Sequence, residues 1–407
     1  TQIMERTMQK KQKQSAALVI LVAMLATLLS GCTTLDNFMN TFLKSDTHDK
    51  NVIKIGVFEP LSGKEKEHGK LELQGIELAH ELFPEAIGKK VELVYADNKS
   101  DVDVAASAAE SLVEKKVSVV LGSHGNTLSL VGGEIFAKAK IPAITITATN
   151  PLVTSSSDYY FRTCFVESFQ GVALAKYAVE QVGTSKAAIF KDADDDYAAA
   201  VSQTFSDKMV QLTEDENAIA KVVEYKSSQQ DFKKQLQQVK ESGAGVVLLA
   251  SKNKDAIKIM KQAKEMGLQL IFLGTDNWES EKFLEEGGPA VEGASFSTYF
   301  DSETAITQNT EVFLKAYREK YGEDAEPASD VALGFDAYML AVNAINTAGT
   351  SVNTQAIRDQ LAATKNFPGV SGNITFDENG DPIKSVVIKT IINGEFVHIY
   401  TVEPTWQ

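Results

Sequence analysis

Cysteine is nearly absent from this sequence. Only Cys32 and Cys164 occur in 407 residues, so no disulfide framework can carry the fold and a hydrophobic core must do so. Histidine is almost as scarce. His48, His68, His80, His124 and His398 show no metal spacing, and one free thiol cannot complete a zinc site. The GxSxG elbow, the P-loop, HExxH and GxGxxG are all missing, which removes the enzyme classes they mark. The expectation is a protein that is not an enzyme and needs neither cofactor nor metal. A basic excess is also lacking. Lys and Arg number 40 against 55 Asp and Glu, a net charge of -15, which argues against a nucleic-acid backbone as partner.

The longest apolar run, AALVILVAMLATLL, is shorter than the ~20 residues of a membrane-spanning helix. Lys10, Lys11 and Lys13 precede it and Ser30-Gly31-Cys32 close it. A basic flank, a short apolar core and small residues before a cut predict a secretory signal over 1–31, with a single-pass anchor as the alternative. Leu29-Ser30-Gly31-Cys32 resembles a bacterial lipobox, which implies lipidation of Cys32. Several acyl chains on that cysteine would be needed for stable tethering. Residues 32–51 then read as a polar tether. Cys164, left without a partner, is expected to be a small buried hydrophobe.

A content of 43% hydrophobic and 23% charged residues is globular, and the length predicts two domains. Strand-like runs begin at Ile53–Phe58 and continue at Val91–Ala96, Val117–Leu121 and Ala143–Ile146. Between them LELQGIELAHEL, VAASAAESLVEK and LVGGEIFAKA carry helical spacing. The alternation recurs at Ala187–Phe190, Val222–Tyr225, Val246–Leu249 and Leu270–Leu273. The expected fold class is therefore α/β, with two doubly wound parallel-sheet lobes. Long helices follow, and then a hairpin-like end with turns at Glu378-Asn-Gly380 and Asn393-Gly394.

Ligands of open parallel sheets sit beyond the carboxyl ends of the strands. After the first-lobe strands come EPLSGKEKEHG, GSHGNT and TATNP, which offer hydroxyls, an amide and helix N-termini suited to a carboxylate. After the second-lobe strands come KDADDDY and GTD, carboxylates and a tyrosine suited to an ammonium. A zwitterion would find one partner on each lobe.

In their order and spacing, IKIGVFEPLSG, LGSHGNTLSL, IPAITITATNP, YFRTCFVESFQG, IFKDADDDYA, FLGTDNW and ITFDENGD resemble the type I periplasmic binding proteins. The likeness is to the branched-chain amino-acid receptors of ABC transporters, from about Ile53 to the C-terminus. The resemblance implies three crossovers, with lobe 1 at 52–166 and 299–383 and lobe 2 at 167–298 and 384–407. It implies capture of a small, aliphatic amino acid by hinge closure, docking of a monomer on a membrane permease, and contact with the membrane only through the lipid. By position, Asn126 falls where a serine usually binds the ligand carboxylate. Thr149 matches the threonine at the head group, and Thr147 falls where a backbone carbonyl contributes. Tyr197 matches an aromatic contact, and Asp276 falls where an acid takes the ammonium. His68 stands where a tyrosine often covers the side-chain pocket. Asn126 and His68 depart from the pattern and leave room for another small polar ligand.

Each residue has a plainer role open to it. Asp276 could cap a helix beginning near Glu279, Thr149 could stabilise a turn, and Tyr197 and Trp278 could pack. Asp192, Asp194 and Asp196 resemble a calcium loop, but Tyr197 stands at its glycine position and Gln203 at its glutamate position. An acidic helix start fits them better. Arg162 is expected in an ion pair with a nearby acid. A tethered sensor with a protein partner is the alternative from another class.

Overall fold

The structure, a computed structural model, describes residues 52–404 except 227 and 304–306. The expected signal segment, Cys32 and the tether lie outside the described residues. The described residues from Ile53 onward form one compact unit.

The first sheet has the order β2-β3-β1-β4-β5-β6. Its strands are β1 (Val52–Glu59), β2 (Glu85–Ala86), β3 (Lys89–Asp97), β4 (Val119–Leu121), β5 (Ala143–Thr145) and β6 (Tyr160–Arg162). β1, β4, β5 and β6 run parallel, with Ile55 opposite Val119 and Leu121 opposite Ile144. The second sheet has the order β16-β15-β11-β10-β9-β7-β8. It is built from β7 (Ala187–Asp192), β8 (Ile219–Tyr225), β9 (Val246–Ala250), β10 (Ile271–Gly274), β11 (Ser295–Thr298), β15 (Val386–Ile392) and β16 (Glu395–Val402). β4 and β9 are buried at every position, which is why they read as unbroken apolar runs rather than as alternation.

The parallel expectation describes the sheet centres; the edges are mixed. β2 pairs with β3 antiparallel, and β11–β15 and β15–β16 are antiparallel. The last pair turns at Asn393-Gly394, both at positive φ, the backbone that a two-residue hairpin requires. A small sheet of β12 (Phe367–Gly369), β13 (Gly372–Phe376) and β14 (Pro382–Ile383) lies between them in sequence. The chain passes from the first large sheet to the second after β6, and between β11 and β15 it returns to pack the helix Ser329–Ala348 against β4 and β5 of the first.

Helix α1 (Lys66–Leu82) packs on α11 (Ser329–Ala348). Contact is backbone to backbone. A Cβ on Gly75 would meet Val331 O at 1.9 Å, and one on Gly334 would meet Glu72 O at 2.2 Å. Two side-chain-free positions thus hold His68 and Glu72 of α1 beside Asp330 of α11.

Arg162 and Lys384 pin the crossings. The Arg162 guanidinium is fully buried. It donates to Asp381 Oδ1 at 2.5 Å, Ala148 O at 2.6 Å, Asn150 O at 2.8 Å and Thr154 Oγ1 at 2.7 Å. The Lys384 ammonium donates to Thr163 O and Ser371 Oγ, and Ser371 Oγ donates to Asp336. Burial pushes Lys384 down to about 8. Cys164 is buried, with its thiol on Ala148 O at 3.3 Å and pushed up to about 12 by burial.

Candidate functional site

The loops beyond β1, β4 and β5 make one wall. Gly122, in the turn after β4, has φ +108°, and a Cβ there would meet Phe58 O at 2.2 Å and Glu59 Oε1 at 2.3 Å, so only glycine fits. Helix α3 (Asn126–Ala139) starts at Gly125 with no side-chain cap. Its first N–H groups are therefore free to receive an anion. Asn126 Oδ1 accepts from Asn150 N at 3.0 Å, which ties the helix start to the TATNP segment and leaves the Asn126 amide NH2 as a donor. Thr149 is buried. Its hydroxyl donates to Glu167 Oε2 at 3.3 Å and its carbonyl accepts from Glu167 N at 3.0 Å.

Beside this head-group wall lies a cluster of titratable side chains. Thr147 Oγ1 donates to Glu72 Oε1 at 2.5 Å, and His124 Nδ1 lies 2.9 Å from the same oxygen and 2.7 Å from Thr147 Oγ1. The threonine proton goes to the carboxylate, so Nδ1 carries the hydrogen on His124. Glu59 Oε2 accepts from His124 N at 2.8 Å. Glu59 Oε1 and Glu72 Oε2 are buried without another partner. Burial first, and the neighbouring Glu72 second, push the Glu59 carboxyl well up. The His68 ring lies on His124, centroids 4.6 Å apart and planes within 7°. His68 Nδ1 is 2.8 Å from Asp330 Oδ2, and that bond raises the imidazole to about 9.

The opposite wall comes from the second sheet. Asp276 follows β10 in a short 3-10 turn, Asp276–Trp278. It caps no helix: α9 (Glu281–Gly287) is capped by Ser280. Gln170 Nε2 donates to Asp276 Oδ1 at 2.7 Å and Tyr299 OH to Oδ2 at 3.0 Å, while the Tyr197 hydroxyl is shared between Gln170 Oε1 at 2.8 Å and Asp276 Oδ1 at 3.1 Å. Among the described residues no basic side chain pairs with it. Burial raises its carboxyl, and the hydrogen bond from Gln170 opposes that. Burial and then the Asp276 charge hold both tyrosines well above their ordinary range, so they stay donors. The walls meet where Ser329 Oγ donates to Glu279 Oε2 at 2.6 Å, and Asp330 is close enough to act electrostatically on Asp276.

His68, Asn126, Thr147 and Thr149 thus gather on one wall, and Tyr197 and Asp276 on the other. Trp278 does not line the site: it is fully buried and stacked on Phe283 at 5.2 Å. The acidic helix start is capped by Asp195, which accepts from Tyr197 N and Ala198 N. Sequence spacing does not reveal Glu59, Glu72, Gln170, Tyr299 or Asp330, nor the pairing of two histidines far apart in the chain. His68, His124 and Asp330 have ligand atoms within 4.8 Å of one another.

A profile of the family described as periplasmic binding protein matches residues 52–395. The leucine-binding protein LivK of Thermotoga maritima is 34% identical, covers 86% of this chain and 99% of its own, and superposes with a TM-score of 0.77. The branched-chain amino-acid transporter substrate-binding protein LivJ of Streptococcus pneumoniae, solved with isoleucine, is 29% identical. That match covers 87% of this chain and 100% of its own, with a TM-score of 0.76. A Leu/Ile/Val-binding protein homolog of Brucella abortus is 27% identical over 81% of this chain and 87% of its own.

Proposed function

The chain belongs to the periplasmic binding protein family, and from that premise we propose that it captures a small amino acid between its two walls and hands it to the permease of an ABC importer. The family binds solutes and is not enzymatic. One observation carries the amino-acid reading. Asp276 is a desolvated carboxylate with hydrogen-bond donors around it and no cation among the described residues. An α-ammonium supplies the missing charge. The α-carboxylate then falls to the Asn126 amide, the Thr149 hydroxyl and the free N–H groups of α3, while Thr147 and His68 border the side chain. Leucine, isoleucine and valine are in the relatives' names, which makes an aliphatic amino acid the first ligand to test.

The lobes are 52–166 with 299–383 and 167–298 with 384–407. Closure follows because a ligand held by both walls favours the closed state by the difference between its affinities for the closed and open forms. Cys32 carries the lipid that holds the receptor at the extracytoplasmic face of the membrane, and the receptor works as a monomer. Among the described residues no helix is long and apolar enough to cross a membrane.

The test is a thermal-shift panel on protein unfolded and refolded to strip carried ligand, with the twenty amino acids, simple amides, urea and nucleosides. A ligand at ~100 times its dissociation constant stabilises by about 2.7 kcal/mol, a shift of a few degrees. An amino-acid shift supports the receptor reading, and its absence across all twenty overturns it.

A further inference from the structure

The head-group partners serve any α-amino acid, so selectivity falls on what borders the side chain. Those borders are His68, His124, Thr147 and, behind them, Glu72 and Asp330. Each imidazole uses Nδ1 inside the protein: His68 toward Asp330, His124 toward Glu72 and Thr147. Among the described residues neither Nε2 has a protein partner. The two nitrogens are not equivalent. His124 donates through Nδ1 to the Glu72 carboxylate, and in that tautomer Nε2 is an acceptor. His68 is held protonated by Asp330, which makes its Nε2–H a donor. Stacking keeps the rings in register, and Glu72, fully buried, fixes the orientation of His124 through Oε1, which also accepts from Thr147.

An acceptor and a donor on stacked rings call for a ligand group that offers a donor and an acceptor from one carbon. A carboxamide does so: its NH2 meets His124 Nε2 and its C=O meets His68 Nε2–H. A purely aliphatic side chain would desolvate both nitrogens and satisfy neither, which costs about tenfold in affinity or more for each buried group. Taking the amino-acid-receptor reading as given, we propose that the side-chain end of this site selects an amino acid bearing a terminal carboxamide, with His68 and His124 as the specificity-determining residues.

The experiment is titration calorimetry of refolded protein with glutamine, asparagine, leucine, isoleucine and valine, in wild type, His124→Leu and His68→Phe. In wild type one of the two amides should bind at least about tenfold tighter than any aliphatic amino acid, the discrimination expected of a site built to hydrogen-bond its ligand. His124→Leu should lose the amide preference, so that its affinities for the amides and for leucine converge. His68→Phe keeps a ring on His124 and removes the Nε2–H donor together with the Asp330 contact, so it should narrow the preference even if His124→Leu fails to fold. Leucine, isoleucine or valine binding wild type as tightly as both amides would overturn the proposal and leave the receptor reading standing. Unchanged preference in His68→Phe would also overturn it. No binding by any of the five, with binding by another amino acid in the thermal-shift panel, would overturn the carboxamide alone; no amino acid binding at all would remove both readings.

Discussion

Asp276→Asn separates binding from folding more sharply than any other change in this protein. The substitution keeps the shape and removes the charge. An ammonium about 4 Å from the carboxylate, at an effective dielectric near 20, interacts by about 4 kcal/mol. Breaking a hydrogen-bonded charge pair at a binding site costs about 2–5 kcal/mol, which is about thirtyfold to a few thousandfold in Kd. Stability moves the other way. Burial raises the Asp276 carboxyl above its ordinary value, so the folded protein holds that proton more tightly than the unfolded chain does. The group's contribution is fully present below the unfolded value and lost as pH rises through the raised one. At neutral pH the ionised Asp276 therefore weighs against the ligand-free fold. Asp276→Asn should leave the ligand-free melting temperature unchanged or higher while the calorimetric affinity for an amino acid collapses. Equal affinity in wild type and variant would refute the ammonium assignment. A large fall in ligand-free stability would refute the electrostatic argument behind it.

Other expectations follow from the buried pairs. Arg162→Met should lower stability by about 3–5 kcal/mol, because it strands Asp381 and two carbonyls away from water; denaturant titration reads this. Arg162→Lys should weaken ligand binding without touching ligand, since Ala148 O and Asn150 O flank Thr149, and a two-column comparison of affinity and melting temperature would expose a merely structural effect. Burial holds Lys384 at about 8, so wild-type stability should rise as pH climbs from about 8 toward the ordinary lysine value, and Lys384→Met should flatten that rise in denaturant titrations at a series of pH values. His68 is raised to about 9 by Asp330, so its contribution to stability is fully present below about 6.5 and lost as pH rises through 9. His68→Gln should flatten the fall in melting temperature between pH 7 and 10, and imidazole resonances titrating at the ordinary histidine value would contradict it.

Where the physics is local, the sequence carried it. The buried runs VVL and VVLLA and the Asn393-Gly394 turn name their own structures, because strand burial and positive φ are properties of a few neighbouring residues. TATNP and GTD likewise point to a site, since parallel strands deliver whatever follows them to one edge. Non-local features stayed hidden. β11 and β6 are short strands of ordinary composition whose existence depends on the neighbours they pair with. Arg162 could be expected in an ion pair, but its partner Asp381 lies in a different crossing.

The acid–histidine cluster draws on residues 59, 68, 72, 124, 147 and 330, which only the close approach of α1 to α11 and the loops after β1, β4 and β5 bring together. That origin bears on how the site can change. The head-group wall is fixed by backbone: free N–H groups of α3, a glycine turn and a segment held by Arg162. The side-chain wall is fixed by interchangeable side chains on α1, α11 and the turn after β4. On the proposed reading, a substitution at position 68 or 124 should change which side chain is accepted while the partners of the ammonium and carboxylate stay in place. Gly75 and Gly334 are different. A Cβ at either would push α1 from α11 and move His68 and Glu72 away from Asp330, so Gly75→Ala should cost both stability and affinity.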